Sequence, residues 1–151
     1  MSASKYLFAQ FYDLLNSCVE RKVIPYRKQT ASQCVGNTLE IGAGTGANIP
    51  FFKNVTSLSL VEPDKHMRSK LINKFSSYMN SITLIDNVGE HLEVDNNSFD
   101  CVCTTLTLCM VKNPQQVIAE IYRVLKPGGT FYFYEHVVSK TRAGEQFQNK
   151  L

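Results

Sequence analysis

The stretch that decides the fold is Leu39-Glu40-Ile41-Gly42-Ala43-Gly44-Thr45-Gly46-Ala47-Asn48, with Glu62 following twenty residues after Gly42. An apolar strand leads into a glycine turn, and the acid comes at the end of the next apolar segment. Glycines let the backbone approach a ligand closely and adopt positive φ angles that a Cβ disfavours. A carboxylate after the second strand can accept hydrogen bonds from two ribose hydroxyls. The stretch therefore predicts a crevice that binds a nucleoside.

Two nucleoside cofactors are compatible with this turn. Read as Gly42-x-Gly44-x-x-Ala47 with Glu62 as the ribose acid, it satisfies the fingerprint of NAD-binding proteins. Glu40, two residues before the first glycine, favours S-adenosylmethionine (SAM). A pyrophosphate binds helix amides and is repelled by a nearby carboxylate, whereas the amino group of SAM is attracted to one. NAD stays open as an alternative, as does a glycine turn without a ligand.

Read as Glu40-x-Gly42-x-Gly44-x-Gly46, the turn resembles the first motif of class I SAM-dependent methyltransferases. Val88–Leu92, followed by 97–102, resembles the loop on the adenine side and the start of strand four in that family. Leu125–Phe131, with its Pro-Gly-Gly turn, resembles the segment before strand five. The resemblance covers about residues 37–137. It implies a Rossmann-like α/β fold, a doubly wound parallel sheet of strand order 3-2-1-4-5.

The resemblance also implies the residues that hold the cofactor. They are Glu40, Gly42, Ala43, Gly44, Gly46, Glu62, Pro63, Gly89, Glu90 and Thr105. The chain departs from the family on the adenine side, where Val88 stands in place of the usual Asp and Asp86 lies two residues earlier. We therefore expect backbone groups around Gly89 and the carboxylate of Glu90 to hold the adenine. A helix-start acid is the other interpretation of Glu90.

Methyl transfer to a protonated acceptor needs a base, and a ligand on an open α/β sheet meets the carboxyl ends of the strands. The candidates after strands four and five are Thr105, Thr107, Glu135 and His136. His136 is the candidate base, and Glu135 is the second catalytic candidate. The alternative for His136 is a hydrogen-bonded histidine at a strand end.

Composition predicts one soluble domain over residues 1–151. The apolar content of 44% is ordinary, and no run approaches the length of a membrane span. The five cysteines lack metal-ligand spacing, so we expect reduced thiols, no metal site and a cytoplasmic location. No pattern of basic and aromatic residues suggests a nucleic-acid partner.

The N-terminal segment, residues 1–30, carries five basic and two acidic residues, a net +3 that equals the charge of the whole chain. Apolar residues recur in it at helical spacing, at Leu7, Phe8, Phe11, Leu14, Leu15, Cys18 and Val19. This pattern predicts an amphipathic helix. It favours a lid over the cofactor site, with peripheral contact to an anionic membrane as the alternative.

The remaining pattern alternates strands and helices, which predicts a parallel sheet. We expect strands at 37–43, 56–62, 82–87, 99–105 and 129–137, and helices at Ala47–Phe52, Asp64–Met79 and Pro114–Val124. Members of the family normally continue with a helix and an antiparallel strand pair, which this chain, ending at Leu151, is expected to lack. Strand five would then present an open aromatic edge, which predicts a homodimer or marginal stability.

Finer features resemble one group within the family. Phe11-Tyr12-Asp13, Asn48-Ile49-Pro50 and Glu135-His136 are similar to a methyltransferase-like group that contains membrane-associated thiol S-methyltransferases and bacterial phospholipid N-methyltransferases. Ubiquinone-pathway C-methyltransferases share the general motifs. The resemblance implies a small-molecule acceptor, which is a thiol, an amine or a lipid-like compound. A non-catalytic SAM-binding module and an NAD-dependent oxidoreductase are the alternatives.

Overall fold

The computed structural model describes residues 22–137. Residues 22–29 form helix α1, and two further helices follow, α2 (Lys65–Lys74) and α3 (Pro114–Val124). The strands are β1 (Val35–Ile41), β2 (Asn54–Val61), β3 (Ile82–Ile85), β4 (Phe99–Thr105) and β5 (Leu125–Tyr134). Short 3-10 helices lie at Ala31–Gln33, Ile49–Phe51 and Ser76–Ser81.

The five strands form one sheet of order β3-β2-β1-β4-β5, and every neighbouring pair is parallel. This confirms the predicted doubly wound α/β fold. The strand order reverses between β1 and β4, so the crevice above the carboxyl ends of these two strands is the usual ligand position. Glu40 lies near the end of β1 beside Cys103 of β4 and Leu60 of β2.

Both faces of the sheet are covered, as a parallel sheet requires. On one face, Leu39 and Ile41 of β1 pack with Val102 of β4 and with α3 through Val117 and Ile121. On the other face, Leu58, Leu60 and Leu71 join β2 to α2, and Cys34, Cys101 and Cys103 pack around Ala31. Glu40 alternates with Leu39 and Ile41, so its carboxylate lies on the second face, at the carboxyl edge.

The helix predicted at Ala47–Phe52 was wrong. The chain makes turns from Gly44 to Asn48 and then a single 3-10 turn, Ile49–Phe51. Gly46 has a φ of +82°, which no α-helix contains, and Pro50 cannot donate a backbone hydrogen bond. The segment between β1 and β2 is therefore compact, and it turns Asn48 inward.

The helix predicted at Asp64–Met79 is two pieces. Asp64 is its N-cap, as predicted, and its side chain accepts hydrogen bonds from the amides of His66 and Met67 at 2.8 and 3.1 Å. The α-helix ends at Lys74, where Phe75 leaves the helical region with φ −119° and ψ 30°. The 3-10 helix Ser76–Ser81 continues to β3.

Strand β5 begins and ends earlier than predicted, since the expected span was 129–137. It pairs Phe99 with Leu125 and then Cys101 with Thr130, so Pro127, Gly128 and Gly129 form an irregularity inside the strand. Gly128 has a φ of +81° at this point. Glu135 and His136 therefore follow the strand instead of belonging to it. The other strands agree with prediction to within two residues at each end.

The apolar residues of the predicted N-terminal helix lie outside the described residues, so the lid and membrane interpretations stay predictions. Within residues 22–137, no helix is long and apolar enough to cross a membrane.

Candidate functional site

The glycine turn has three glycines with positive φ, and each faces a different environment. A Cβ on Gly42 would lie 2.4 Å from Oγ1 of Thr107, and one on Gly46 would lie 2.8 Å from the ring of Phe75. Gly44, with a φ of +55°, has no atom within 4 Å of its would-be Cβ. Gly42 and Gly46 are therefore required by the packing of the protein itself, while the space beside Gly44 is open.

Glu40 is 2% exposed, and its two carboxylate oxygens differ. Oε1 accepts a hydrogen bond from Nδ2 of Asn48 at 2.7 Å, whereas the buried Oε2 has no hydrogen-bond partner among the described residues. Burial raises the pKa of Glu40 from 4.5 to about 7, against the lowering by Asn48 and Arg27. A buried carboxylate with one unpartnered oxygen is costly unless a cation or donor meets it.

Asn48 joins three elements through its amide, a role that the sequence does not predict. Its Nδ2 donates to Glu40 and to Oγ1 of Thr105 at 2.9 Å, and its Oδ1 accepts from Arg27 of α1 at 2.6 Å. Asn48 is 1% exposed and Arg27 is 5% exposed. The only signals in the sequence were a polar residue directly after the glycine turn and one basic residue among several in the N-terminal segment.

Glu62 lies at the end of β2, beside the turn. Its Oε2 accepts from the amide of Gly44 and its Oε1 from the amide of Asp64, both at 2.8 Å. Each carboxylate oxygen has a second lone pair, so Glu62 can still accept two ribose hydroxyls. Burial raises its pKa, and the two backbone amides lower it. Pro63 is exposed between Glu62 and the helix cap, whereas Ala43 is 5% exposed.

On the predicted adenine side, Gly89 is buried against Ile41, since a Cβ there would lie 2.9 Å from the Ile41 side chain. Oε1 of Glu90 accepts from the amides of Lys112 and Asn113 at 2.8 and 3.2 Å, directly before α3. Burial is the largest single influence and raises the pKa of Glu90, but the backbone amides of Glu90, Asn113 and Lys112 together with the charge of Lys112 lower it below its usual value. Glu90 itself lies in a turn and begins no helix, so its carboxylate meets the N-terminal end of α3 from a separate segment of the chain. Asp86 is held by Arg68 instead, at 2.5 and 2.7 Å.

The loops after β4 and β5 are tied together by Glu135. Its two oxygens accept from the amides of Thr107 and Leu108 at 3.1 and 3.0 Å. Leu106, between Thr105 and Thr107, has a φ of +55°, a strained conformation for leucine that this bonding helps to hold. Thr107 is itself buried, with its hydroxyl donating to the carbonyl of Ile41 at 3.2 Å. Of the four candidates, Glu135 and Thr107 are thus engaged in holding the backbone.

His136 is exposed at the same edge, and its Nδ1 lies 3.7 Å from Sγ of Cys109. Burial raises the pKa of the Cys109 thiol, and Glu135 raises it further, so this thiol is held in its protonated form. Tyr134, two residues before His136, stacks on Tyr26 of α1 with ring centroids 4.4 Å apart and planes 6° from parallel. Helix α1 therefore contacts both the Glu40 network and the end of β5.

These residues fit a cofactor that brings a cation and a ribose to the edge of β1 and β2. The unpartnered oxygen of Glu40 suits an ammonium group, the open space at Gly44 admits the ligand, and Glu62 faces the same turn. Two buried carboxylates beside the turn would repel a pyrophosphate. The geometry therefore suits SAM better than NAD.

A family model described as a methyltransferase domain matches residues 39–133. The chain belongs to this methyltransferase family. The family implies SAM as the methyl donor, which decides between the two cofactors that the glycine turn left open. The match spans β1 to β5 and includes Glu40, Glu62 and the glycine turn.

Named methyltransferases are among the similar proteins. Human thiol S-methyltransferase TMT1A is 35% identical over 116 residues, which are 75% of this chain and 48% of the human protein. Mouse thiol S-methyltransferase TMT1B is 31% identical over 144 residues, 88% of this chain and 59% of the mouse protein. The predicted likeness to a thiol S-methyltransferase group is confirmed. The chain spans about half the length of the curated relatives it matches.

Solved structures share the methyltransferase fold. YcgJ from Bacillus subtilis has a TM-score of 0.68 at 22% identity, covering 79% of this chain and 53% of YcgJ. The [4+2]-cyclase SpnF has a TM-score of 0.71 at 19% identity, covering 90% of this chain and 60% of SpnF. At these identities the likeness concerns the fold alone, and the cyclase illustrates that one fold serves several reactions.

Proposed function

We propose that this protein is a SAM-dependent methyltransferase that methylates a small-molecule thiol. The observation that carries the cofactor is the buried, unpartnered oxygen of Glu40 beside the open space at Gly44. The thiol acceptor rests on the similarity to TMT1A and TMT1B, and amine and lipid-like acceptors are the other members of the proposed class.

Glu40 would bind the amino group of the cofactor, and Glu62 would accept the ribose hydroxyls. The backbone around Gly89 would border the adenine, with Glu90 at its margin. When bound, SAM supplies an activated methyl group, so the protein's task is to align the acceptor and exclude water. Thr105 and Asn48 would keep the Glu40 side chain in place from the β4 side.

A thiol acceptor also needs to lose its proton, because a thiol with a pKa of about 8.5 is mostly protonated at neutral pH. His136 is the proposed base: Nδ1 faces Cys109, so Nε2 is the nitrogen that would take the proton from the acceptor sulfur. The methyl group would move from the sulfonium sulfur of the cofactor to the acceptor sulfur, leaving the neutral thioether S-adenosylhomocysteine, and His136 would release its proton to solvent. Glu135 would act by shaping the Thr107–Leu108 loop rather than by touching the acceptor.

The test is a methyl-transfer assay with small thiols, amines and quinols as acceptors, beside a calorimetric titration with SAM and with NAD. We expect SAM binding, no NAD binding and turnover of a thiol. For His136→Ala we expect turnover to fall while SAM affinity is unchanged. Equal loss of both would reject His136 as the base. SAM binding without turnover of any acceptor would favour the non-catalytic SAM-binding module.

Two partner predictions accompany this proposal. Phe133 is 58% exposed on β5, which is an edge strand of the described sheet, and its ring lies 5.1 Å from that of Phe131. This edge supports the predicted homodimer, which a stable, high-melting monomer in sedimentation would contradict. The second partner prediction is that this cytoplasmic protein contacts membranes through its basic segment, residues 1–30. Such a segment would bind vesicles of anionic lipid, and co-sedimentation with these vesicles tests this.

A further inference from the structure

Helix α1 carries a buried guanidinium into the proposed cofactor site. Arg27 is 5% exposed and its Nη1 lies 2.6 Å from Oδ1 of Asn48, while its neighbour Lys28 is exposed. Burying a cation costs several kcal/mol unless fixed partners compensate it. A charge placed here therefore has a local role that the exposed lysines of the same helix do not share.

The guanidinium determines which way the Asn48 amide points. Arginine has only donors, so it requires the oxygen of Asn48 to face it. The amide nitrogen is then turned toward Oε1 of Glu40 and Oγ1 of Thr105. With the amide reversed, its oxygen would face the carboxylate, an arrangement that only a protonated Glu40 could satisfy.

We propose that Arg27 is a positioning residue that keeps Glu40 in its ionised, cation-binding form by orienting the Asn48 amide and by its own charge. The inference deepens the proposed function, because it rests on Glu40 binding the amino group of SAM. Arg27 itself need not touch the cofactor. It would make cofactor affinity depend on the docking of α1.

The other groups around Glu40 work in the opposite direction. Burial is the largest influence and raises its pKa, and Glu62, directly after β2, raises it further. The neighbouring thiol of Cys103 on β4 is neutral, since its hydrogen bond with Cys34 and its burial raise its pKa. Asn48 and Arg27 lower the pKa of Glu40, which settles at about 7. Among these described groups Arg27 is the cation, so its removal favours the neutral acid.

The test compares SAM affinity of the wild type and Arg27→Gln by calorimetry at pH 6 and pH 8.5. If the loss of Arg27 raises the pKa of Glu40 by about one unit, the ionised fraction falls about tenfold at pH 6 and less than about twofold at pH 8.5. We therefore expect Arg27→Gln to bind SAM about tenfold more weakly at pH 6 and less than twofold more weakly at pH 8.5. Comparing both proteins at the same pH cancels the titration of the cofactor's own amino group.

Lys28→Gln, which removes the same charge from an exposed position on α1, is the matched control and is expected to bind like the wild type at both pH values. Arg27→Lys keeps the charge and should recover most of the affinity at pH 6. In the ligand-free proteins, carbon-13 NMR of the side-chain carboxyl should show a higher pKa for Glu40 in Arg27→Gln. This measurement does not depend on SAM binding.

An affinity loss in Arg27→Gln that is equal at pH 6 and pH 8.5, or an unchanged pKa of Glu40, would overturn the role of Arg27. A wild type that binds no SAM would instead overturn the proposed function, whatever the NMR titration shows. If Arg27→Gln fails to fold, Arg27→Met, which keeps the apolar stem without the charge, takes its place: a loss of SAM affinity confined to pH 6 together with a raised pKa of Glu40 would support the role, and wild-type-like binding at both pH values would refute it.

Discussion

Replacing Glu40 with Gln should stabilise the protein at alkaline pH while weakening its affinity for SAM. Burial raises the pKa of Glu40 from 4.5 to about 7. Between about pH 4.5 and pH 7, the carboxyl group of Glu40 is ionised in the unfolded chain but protonated in the folded protein. The folded state is therefore favoured at low pH, and this contribution is lost as the pH rises from about 4.5 through about 7. Gln has the same shape and no such titration.

The magnitude follows from the shift. One pKa unit corresponds to about 1.4 kcal/mol, so a shift of about two and a half units amounts to about 3 kcal/mol once the pH is well above 7. From pH 5 to pH 8, the unfolding free energy of Glu40→Gln minus that of the wild type should rise by about 2 to 3 kcal/mol. Loss of a charge-assisted hydrogen bond should weaken SAM binding about tenfold to a hundredfold.

The assay is urea unfolding of both proteins at pH 5, 6, 7 and 8, with SAM titrations at pH 8. Subtracting the wild-type curve at each pH removes the titration of groups common to both. Glu93→Gln, at an exposed carboxylate, is the control and should show no such trend. A stability difference between Glu40→Gln and the wild type that is constant across these pH values would refute the reasoning, because it would mean that Glu40 is ionised in the folded state throughout.

Four further substitutions separate packing from function. Gly42→Ala places a Cβ 2.4 Å from Thr107 and should lower the free energy of unfolding in urea by about 2 to 4 kcal/mol. Gly44→Ala places its Cβ in open space, so it should lower that free energy by about 1 kcal/mol but weaken SAM binding. Equal losses of stability in the two variants would contradict this. Glu135→Ala leaves the amides of Thr107 and Leu108 without their acceptor. It should lower the free energy of unfolding by about 1 to 3 kcal/mol and speed amide hydrogen exchange at both residues. Unchanged exchange would argue against the role of Glu135 in holding this loop. Tyr26→Ala removes the stack on Tyr134, so it should lower the free energy of unfolding by about 1 kcal/mol and speed amide hydrogen exchange in residues 22–29. Unaltered exchange in these residues would show that α1 docks without the stack.

The sheet could be predicted from the sequence because its signals are local. Apolar segments, the glycine turn and the Pro-Gly-Gly turn lie in order along the chain, and each marks a strand or its end. The segment after the glycine turn was mispredicted as helix because a glycine turn of this kind ordinarily leads into one. Pro50 and the positive φ of Gly46 instead give turns and a short 3-10 helix.

Only part of the candidate site could be predicted from the sequence. Glu40 and Glu62 could be found because each has a fixed distance from the glycine turn. Arg27, Asn48 and Thr105 meet at Glu40 from three separate elements, and no sequence spacing links residues 27, 48 and 105. The hydrogen bonds of Glu135 to the loop after β4 are likewise a product of β4 and β5 lying side by side.

Helix α1 gives the candidate site a physical link between the Glu40 network and the end of β5. Two consecutive residues of this helix face different partners: Tyr26 stacks on Tyr134 beside Glu135 and His136, and Arg27 bonds Asn48 beside Glu40. A helix displaced at one contact cannot keep the other in place, because both sit on the same turn. If the proposed role of Arg27 is correct, SAM binding at Glu40 and docking of α1 against β5 must favour each other by the same free energy. An acceptor that packs against Tyr26 would then bind more tightly when SAM is present, and Tyr26→Ala should weaken that coupling and, by loosening Arg27, raise the pKa of Glu40.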